Sequence, residues 1–405
     1  MRVFFPNFSF EDVVVGRHAV PDRSLRRVIN ALSPLTGLLG EDGDVVVVDA
    51  NGIPSDIPDL LSHLTFLTID EVRQFVEADS RNATLVPWGW DDSSRQLAGC
   101  PEFSGSIPTH DAVLTVNSRR FSAEFDIGHE VESTGLFDGH FGRLCHDDSQ
   151  VQGVLRQLAV QEIHRWVMKP ACSAAGRNRV LGQSTSLNTN QRGWLHMQLK
   201  RDGYIYLEPW LPAIRECGIQ LRIPPTSGDV ADIELIGLTE MITERSGRYR
   251  GSIVTHCVDP FWRPAIEHAM LVGRQAAELG YFGPLGIDTM QVELPSGQRV
   301  LRLCNDINGR LTMGRLALRL SREFGNDRAG VWLHSAVTDR SEESRSAGKT
   351  PAIQRPEIVE AVRVSPERIG GLPSVIDSWL YVTNGPDEAR NLVESVRQHV
   401  RIQNG

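Results

Sequence analysis

GPLGIDTM (283–290), PSGQ (295–298) and VLRLCNDINGR (300–310) form the stretch whose reading decides the fold. Two apolar runs flank a short polar turn containing glycine, which predicts two neighbouring strands of a hairpin. Asp288 sits in the first strand, Asp306 and Asn308 in the second. Side chains alternate across a strand with period two, so Asp306 and Asn308 share a face. With Asp288, three oxygen donors then converge on one spot. Mg2+ takes hard oxygen ligands in near-octahedral geometry and uses only one or two carboxylates when substrate phosphates complete its shell. The pattern predicts a metal set of Asp288, Asp306 and Asn308, and its alternative is a pair of solvated hairpin carboxylates.

Two upstream segments bear on that choice. WVMKPACSAAGRNR (166–179) places Lys169 near the end of an apolar run, followed by a small-residue loop from Ser173 to Gly176. A lysine beside such a loop suits phosphate, because the ammonium neutralises oxygens while exposed backbone N–H groups approach closely. YIYLEPWLP (204–212) carries Glu208 on a β-rich run that stops at Pro209. A strand broken by proline leaves backbone groups free for a flat ligand edge. Singly, a strand lysine that snorkels and a Glu-Pro turn would explain the same residues.

In this order the pieces resemble the ATP-grasp family of carboxylate–amine ligases, D-alanine–D-alanine ligase-like members at GIDTM (286–290) and DING (306–309) in particular. The resemblance spans Asn117 to Gly314 and departs from those members at Asp306, where glutamate is commoner, and at Gly286, where they carry a substrate-facing arginine. It implies ATP and Mg2+ as cofactors and an α/β fold with an α+β grasp core. Lys169 and Arg119 are then expected on the phosphates, with Arg120 the alternative to Arg119 in VNSRRFSAEF (116–125). Glu208 and the backbone of Trp210 and Leu211 are expected at adenine, Glu216 at ribose, and Ser173 and Gly176 at the phosphates. Arg310 is expected at the γ-phosphate or acyl phosphate, with Arg177 and Arg179 stabilising charge as the loop closes. The implied substrates are a small-molecule carboxylate and an amine. An N-terminal α/β unit ahead of the grasp core is also similar to tyramine–glutamate ligases, which makes glutamyl transfer the leading substrate expectation. A kinase that stops at phosphate transfer, or a nucleotide-binding module without ligase activity, is the alternative.

The remaining sequence fits this frame. With 405 residues, 40% of them hydrophobic, the chain is long enough for two or three packed units. Continuous apolar DVVVVDA (44–50) among helical patterns predicts a parallel α/β start. The expected layout is a pre-ATP-grasp α/β domain (1–115), a small lobe (116–203), a large lobe with the nucleotide and Mg2+ site (204–330) and a C-terminal α/β extension (331–405). Helices are expected over 119–132, 150–164, 264–280 and 314–324, and a polar, lid-like stretch over 182–193. Trp88 and Trp90 are expected at an inter-domain contact, or flooring a substrate pocket. A net charge of −9 argues against nucleic-acid or anionic-membrane binding. Six scattered cysteines without a CxxC pair suggest neither zinc ribbon nor disulfide framework. Without a membrane-length apolar run or signal-peptide pattern, cytoplasmic residence is expected, and a homodimer is compatible with the sequence. AGKT (347–350) is refused as a P-loop, because Glu343 stands where glycine is required. HFGRLCHDD (140–148) reads as a helix-bounding polar loop rather than a metal site.

Overall fold

A computed structural model describes residues 1–17, 21–78, 82–130, 136–172, 178–225, 232–244, 246–336, 355 and 357–403. Ser173, Gly176, Arg177 and the AGKT segment lie outside the described residues.

The chain opens with a four-stranded parallel sheet in the order Thr65–Leu67, Val45–Val47, Arg2–Phe5, Thr84–Pro87. Its strands are short and apolar on both faces, as a sheet buried between helices requires. The helical pattern of SLRRVINALSPLTGLL (24–39) is α-helical only for Arg23–Leu32 and then tightens to a 3-10 segment, Ser33–Leu39, entered through Pro34. Proline lacks the N–H that an α-helical interior needs.

A second, antiparallel sheet runs Val180–Gly182, Trp166–Pro170, Ile205–Pro209, Arg143–Cys145. Period-two alternation sorts its residues cleanly. Trp166, Met168, Ile205 and Leu207 enter a core with Val151, Leu155 and Leu195 of two covering helices. Lys169, Tyr206 and Glu208 therefore lie on the other face. The stretch 182–193 is more ordered than its composition suggests. The strand extends to Gly182, and the helix Thr189–Asp202 starts from a reciprocal capping box between Asn188 and Gln191. Asn and Gln three residues apart satisfy two orphan N–H groups at once.

The third sheet has ten strands in the order Ile358–Arg363, Ile376–Thr383, Ala329–Ala336, Tyr249–Thr255, Glu234–Thr243, Ala213–Ile223, Gly283–Glu293, Arg299–Asn308, Ile127–Glu130, Leu136–His140. The expected hairpin lies near its middle, with Asp288 directly opposite Asp306 and Gly286 opposite Asn308. The helix expected over 119–132 ends at Phe125, and the chain returns as a strand whose Gly128 pairs with Arg302. The break falls at Asp126, whose carboxylate is taken by Arg302. The helix expected over 314–324 is Met313–Arg319 followed by a 3-10 turn, Leu320–Glu323. Residues 331–405, read as an extension, supply strands to this same sheet and a helix, Pro386–Gln403, packed on it. No helix among the described residues is long and apolar enough to cross a membrane.

Candidate functional site: a charged junction of the two lobes and the N-terminal unit

Lys169 and Glu208 project from adjacent strands of the four-stranded antiparallel sheet, Glu208 from a strand beyond the small-lobe boundary expected at residue 203, and their side chains meet at 2.5 Å. Arg302, from the strand that carries Asp306, reaches across the lobes to Glu208 at 2.5 Å and to both oxygens of Asp126. Tyr206 donates its hydroxyl to the same Asp126. Arg119, the first residue of its helix, ion-pairs with Asp306 and is anchored by its backbone N–H on the Ala171 carbonyl. Three cations (Lys169, Arg119, Arg302) and three carboxylates (Glu208, Asp306, Asp126) thus fill the junction.

The field inside this cluster is strong because Arg119, Asp126, Lys169, Glu208 and Arg302 are all buried. Burial opposes the charge on Glu208, but Arg302 and Lys169 outweigh it and hold the carboxyl down to about 2. Burial depresses the Lys169 ammonium, with Glu208 opposing that shift. Asp288 behaves oppositely. Burial and the facing Asp306 push its carboxyl up to about 7. Two carboxylates held this close call for a cation, and Arg119 supplies one to Asp306 alone.

The third donor, Asn308, gives its amide N–H to Asp288 at 3.4 Å and accepts from Arg310 at 2.9 Å. The donor set is hard oxygen throughout and fits Mg2+ shared with an oxygen-rich ligand. Among the described residues no group of three or more His, Cys, Asp or Glu forms a closed metal cage. A site with two carboxylates depends on ligand oxygens for the rest of its shell.

Arg310 ties this strand end to the N-terminal unit. It bonds the buried Glu11, lies over the Trp88 ring at 5.5 Å, and is followed by Leu311, whose N–H donates to the Trp88 carbonyl. Trp88 therefore occupies an inter-domain contact. The Glu11 Oε2 atom is shielded from water without a hydrogen-bond partner. Gly309 between Asn308 and Arg310 is clamped by Asn117, which accepts from its N–H and donates to its carbonyl. A Cβ on Gly309 would stand 2.7 Å from Asn117 Nδ2, so the close approach requires glycine.

The other expected residues are less tightly gathered. Glu208, expected at adenine, faces inward onto Lys169 and Arg302. Trp210 lies under Arg179, whose guanidinium is 4.9 Å from the ring centroid. Glu216 sits on the same sheet face as Gly218, which is opposite Asp288, and accepts from Thr243 while burial raises its pKa. Arg120 turns away over Tyr204 at 4.9 Å, leaving Arg119 in the cluster. In the 140–148 segment Cys145 is buried in the small-lobe core, Asp147 caps the helix Asp148–Val160, and His146 bonds the Gly203 carbonyl.

Sequence reasoning missed Arg302, Asp126, Tyr206, Glu11 and Asn117. Arg302 left a signal, since it lies four residues before Asp306, an even offset that puts both on one face of a regular strand. Glu11 and Asp126 left none. Their roles arise from contacts 299 and 176 residues apart along the chain.

No protein-family model and no curated protein sequence matches the chain. Solved structures do. N5-carboxyaminoimidazole synthetase from Staphylococcus aureus, complexed with ADP, matches with a TM-score of 0.52 at 10% identity, over 98% of this chain and 96% of its own. Biotin carboxylase from Campylobacter jejuni, as a β-γ-ATP complex, gives 0.52 at 12% identity, over 96% and 88%. Pyruvate carboxylase from Rhizobium etli gives 0.56 at 9% identity, over 97% of this chain and 37% of that longer one. At such identities the likeness is one of fold. The chain has the ATP-grasp fold over nearly its whole length.

Proposed function

We propose that the protein is an ATP-dependent ligase that joins a small-molecule carboxylate to an amine through an acyl phosphate. The observation that carries this reading is the gathering of Lys169, paired with Glu208, and Arg119, paired with Asp306, beside the opposed carboxylates Asp288 and Asp306 in an ATP-grasp fold. Phosphoryl transfer asks a protein for positioning and charge neutralisation more than covalent chemistry. Cations and oxygen donors without a nucleophilic triad suit that task. The ADP and ATP-analogue complexes named for two proteins of like fold are in keeping with it.

In this account Lys169 and Arg119 exchange their carboxylate partners for phosphate oxygens when nucleotide enters. Arg119 leaving Asp306 frees that carboxylate, which with Asp288 and Asn308 would hold Mg2+. The ion would supply charge neutralisation at the phosphate oxygens. Arg310, oriented by Glu11 and the Trp88 face, receives the acyl phosphate or the substrate carboxylate beside it. Ser173, Gly176 and Arg177 are proposed as the phosphate-side loop, and Glu216 as the ribose contact. Glutamyl transfer is the first substrate class to test.

The test is product formation with purified protein, Mg-ATP and a panel of carboxylates and amines. A ligase releases ADP and phosphate only when both partners are present, and mass spectrometry finds the amide. A kinase makes ADP and a stable phosphorylated product with one partner alone. ATP binding without turnover under any pair would leave a nucleotide-binding module.

A further inference from the structure

A cavity of about 380 Å³ opens beside the helix Met313–Arg319, and none of its lining residues belongs to the charged junction. Its volume lies within the roughly 300–1,000 Å³ range of small-molecule sites. Arg315, Arg319 and Arg322 line it from one side. Their spacing of four and then three matches the α-helical turn and the 3-10 turn that follows it, so all three project the same way.

The acids on the opposite wall are already occupied. Glu240 and Asp259 each accept from Arg215 at 2.7 Å, and Glu240 accepts again from Arg390 at 2.7 Å. Among the described residues Arg315 has no hydrogen-bonded acid. Its buried Nη1 makes no hydrogen bond, and the acid that attracts it, Glu234, is held in a two-pronged pair by Arg222 at 2.6 and 2.8 Å. Burial and the like charge of Arg222 lower the Arg315 guanidinium to about 10, against the attraction of Glu234. A half-buried cation beside another cation, with its neighbouring acids engaged elsewhere, is costly unless an anion completes the site. Among the described residues Arg319 pairs with Glu323 alone, at 3.6 Å. Trp262, Leu238 and Leu39 give the cavity an apolar wall.

We propose that this cavity is a second ligand site that binds a small organic anion bearing two or more carboxylate or phosphate groups. Seven helical residues span about 10 Å, so arginines at both ends of that span suit charges at both ends of one ligand. The guanidinium fork bonds carboxylate and phosphate alike, two N–H groups to two oxygens. The site does not depend on the ligase reading.

Calorimetric titration with citrate and with pyrophosphate, both without Mg2+, tests the assignment on the full chain. The wild type should bind at least one probe, and which one identifies carboxylate or phosphate as the preferred chemistry. Arg315→Met, which keeps the apolar stem, should weaken that binding tenfold or more. Arg322→Glu changes an exposed position, tolerates folding, and should weaken it as well. Lys169→Met, in the ATP-grasp cleft, should leave it unchanged. Absence of binding by both probes would overturn the proposal. So would binding that Lys169→Met removes while Arg315→Met and Arg322→Glu spare it, since the probe would then occupy the cleft.

Discussion

Asp306 carries the sharpest consequences at the scale of single residues. Its carboxylate stands between Arg119 and the facing Asp288, so its charge rather than its volume matters. Asp306→Asn should abolish ADP formation, while relief of its repulsion of Asp288 offsets the loss of the Arg119 pair and keeps the melting curve of the nucleotide-free protein close to wild type. Normal turnover in that variant would take Asp306 out of the site. Lys169→Met removes an ammonium but keeps the stem, and should weaken ATP binding by about 1–3 kcal/mol, the range of a charge-assisted hydrogen bond. Unchanged calorimetric affinity would mean that Lys169 serves only Glu208. Arg302→Met should act differently, because it strands Asp126 and Glu208 as buried carboxylates without their shared cation. Breaking such a pair costs about 3–5 kcal/mol, so this variant should lose stability even without ligand, as chemical denaturation would register.

Elements show where pattern reading succeeds and where it stops. The hairpin 283–308 was legible because an apolar, period-two pattern and a Gly-containing turn both specify it. The helix–strand break at Asp126 was not, because an Arg302 bond from a distant strand decides it. Likewise the polar run 182–193 hid a capping box whose spacing was visible but whose composition suggested a loop. Replacing Asn188 with Ala should cost about 1 kcal/mol in denaturant unfolding, the usual value of an N-cap. In the strand Ala329–Ala336, His334 stacks on Trp332 at 4.4 Å, with both ring nitrogens shielded and without partners. Burial lowers its pKa to about 3, with Arg250 adding to the shift. Between about 3 and the unfolded value near 6.5 the unfolded chain binds the extra proton, so stability falls as pH falls through that window. His334→Leu should flatten this part of the pH–stability curve. An unchanged slope would place the acid sensitivity elsewhere.

The whole molecule adds what neither residues nor elements disclose. Charges on both lobes and the N-terminal unit meet only because the ten-stranded sheet brings Arg302, Asp306 and Arg310 together on one strand and its following turn. The parallel opening and the hairpin that sets Asp288 opposite Asp306 were readable as local patterns. Strands and a closing helix were readable within 331–405 as well, but not that those strands complete a sheet begun about two hundred residues earlier, at Ile127–Glu130. Closure of the Asn308–Arg310 turn against Asn117 is another such long-range fit. Gly309→Ala should cost about 1–3 kcal/mol by crowding that clamp. The central claim is that cations now paired with Glu208 and Asp306 are the ones that receive nucleotide. It is tested most directly by titrating Mn2+, as a spectroscopic substitute for Mg2+, into wild type and Arg119→Gln, with and without a non-hydrolysable ATP analogue. The account predicts weak metal binding by the free wild type, tighter binding by free Arg119→Gln, and a strong gain on adding nucleotide to the wild type. Equal metal affinity in all four cases would contradict it.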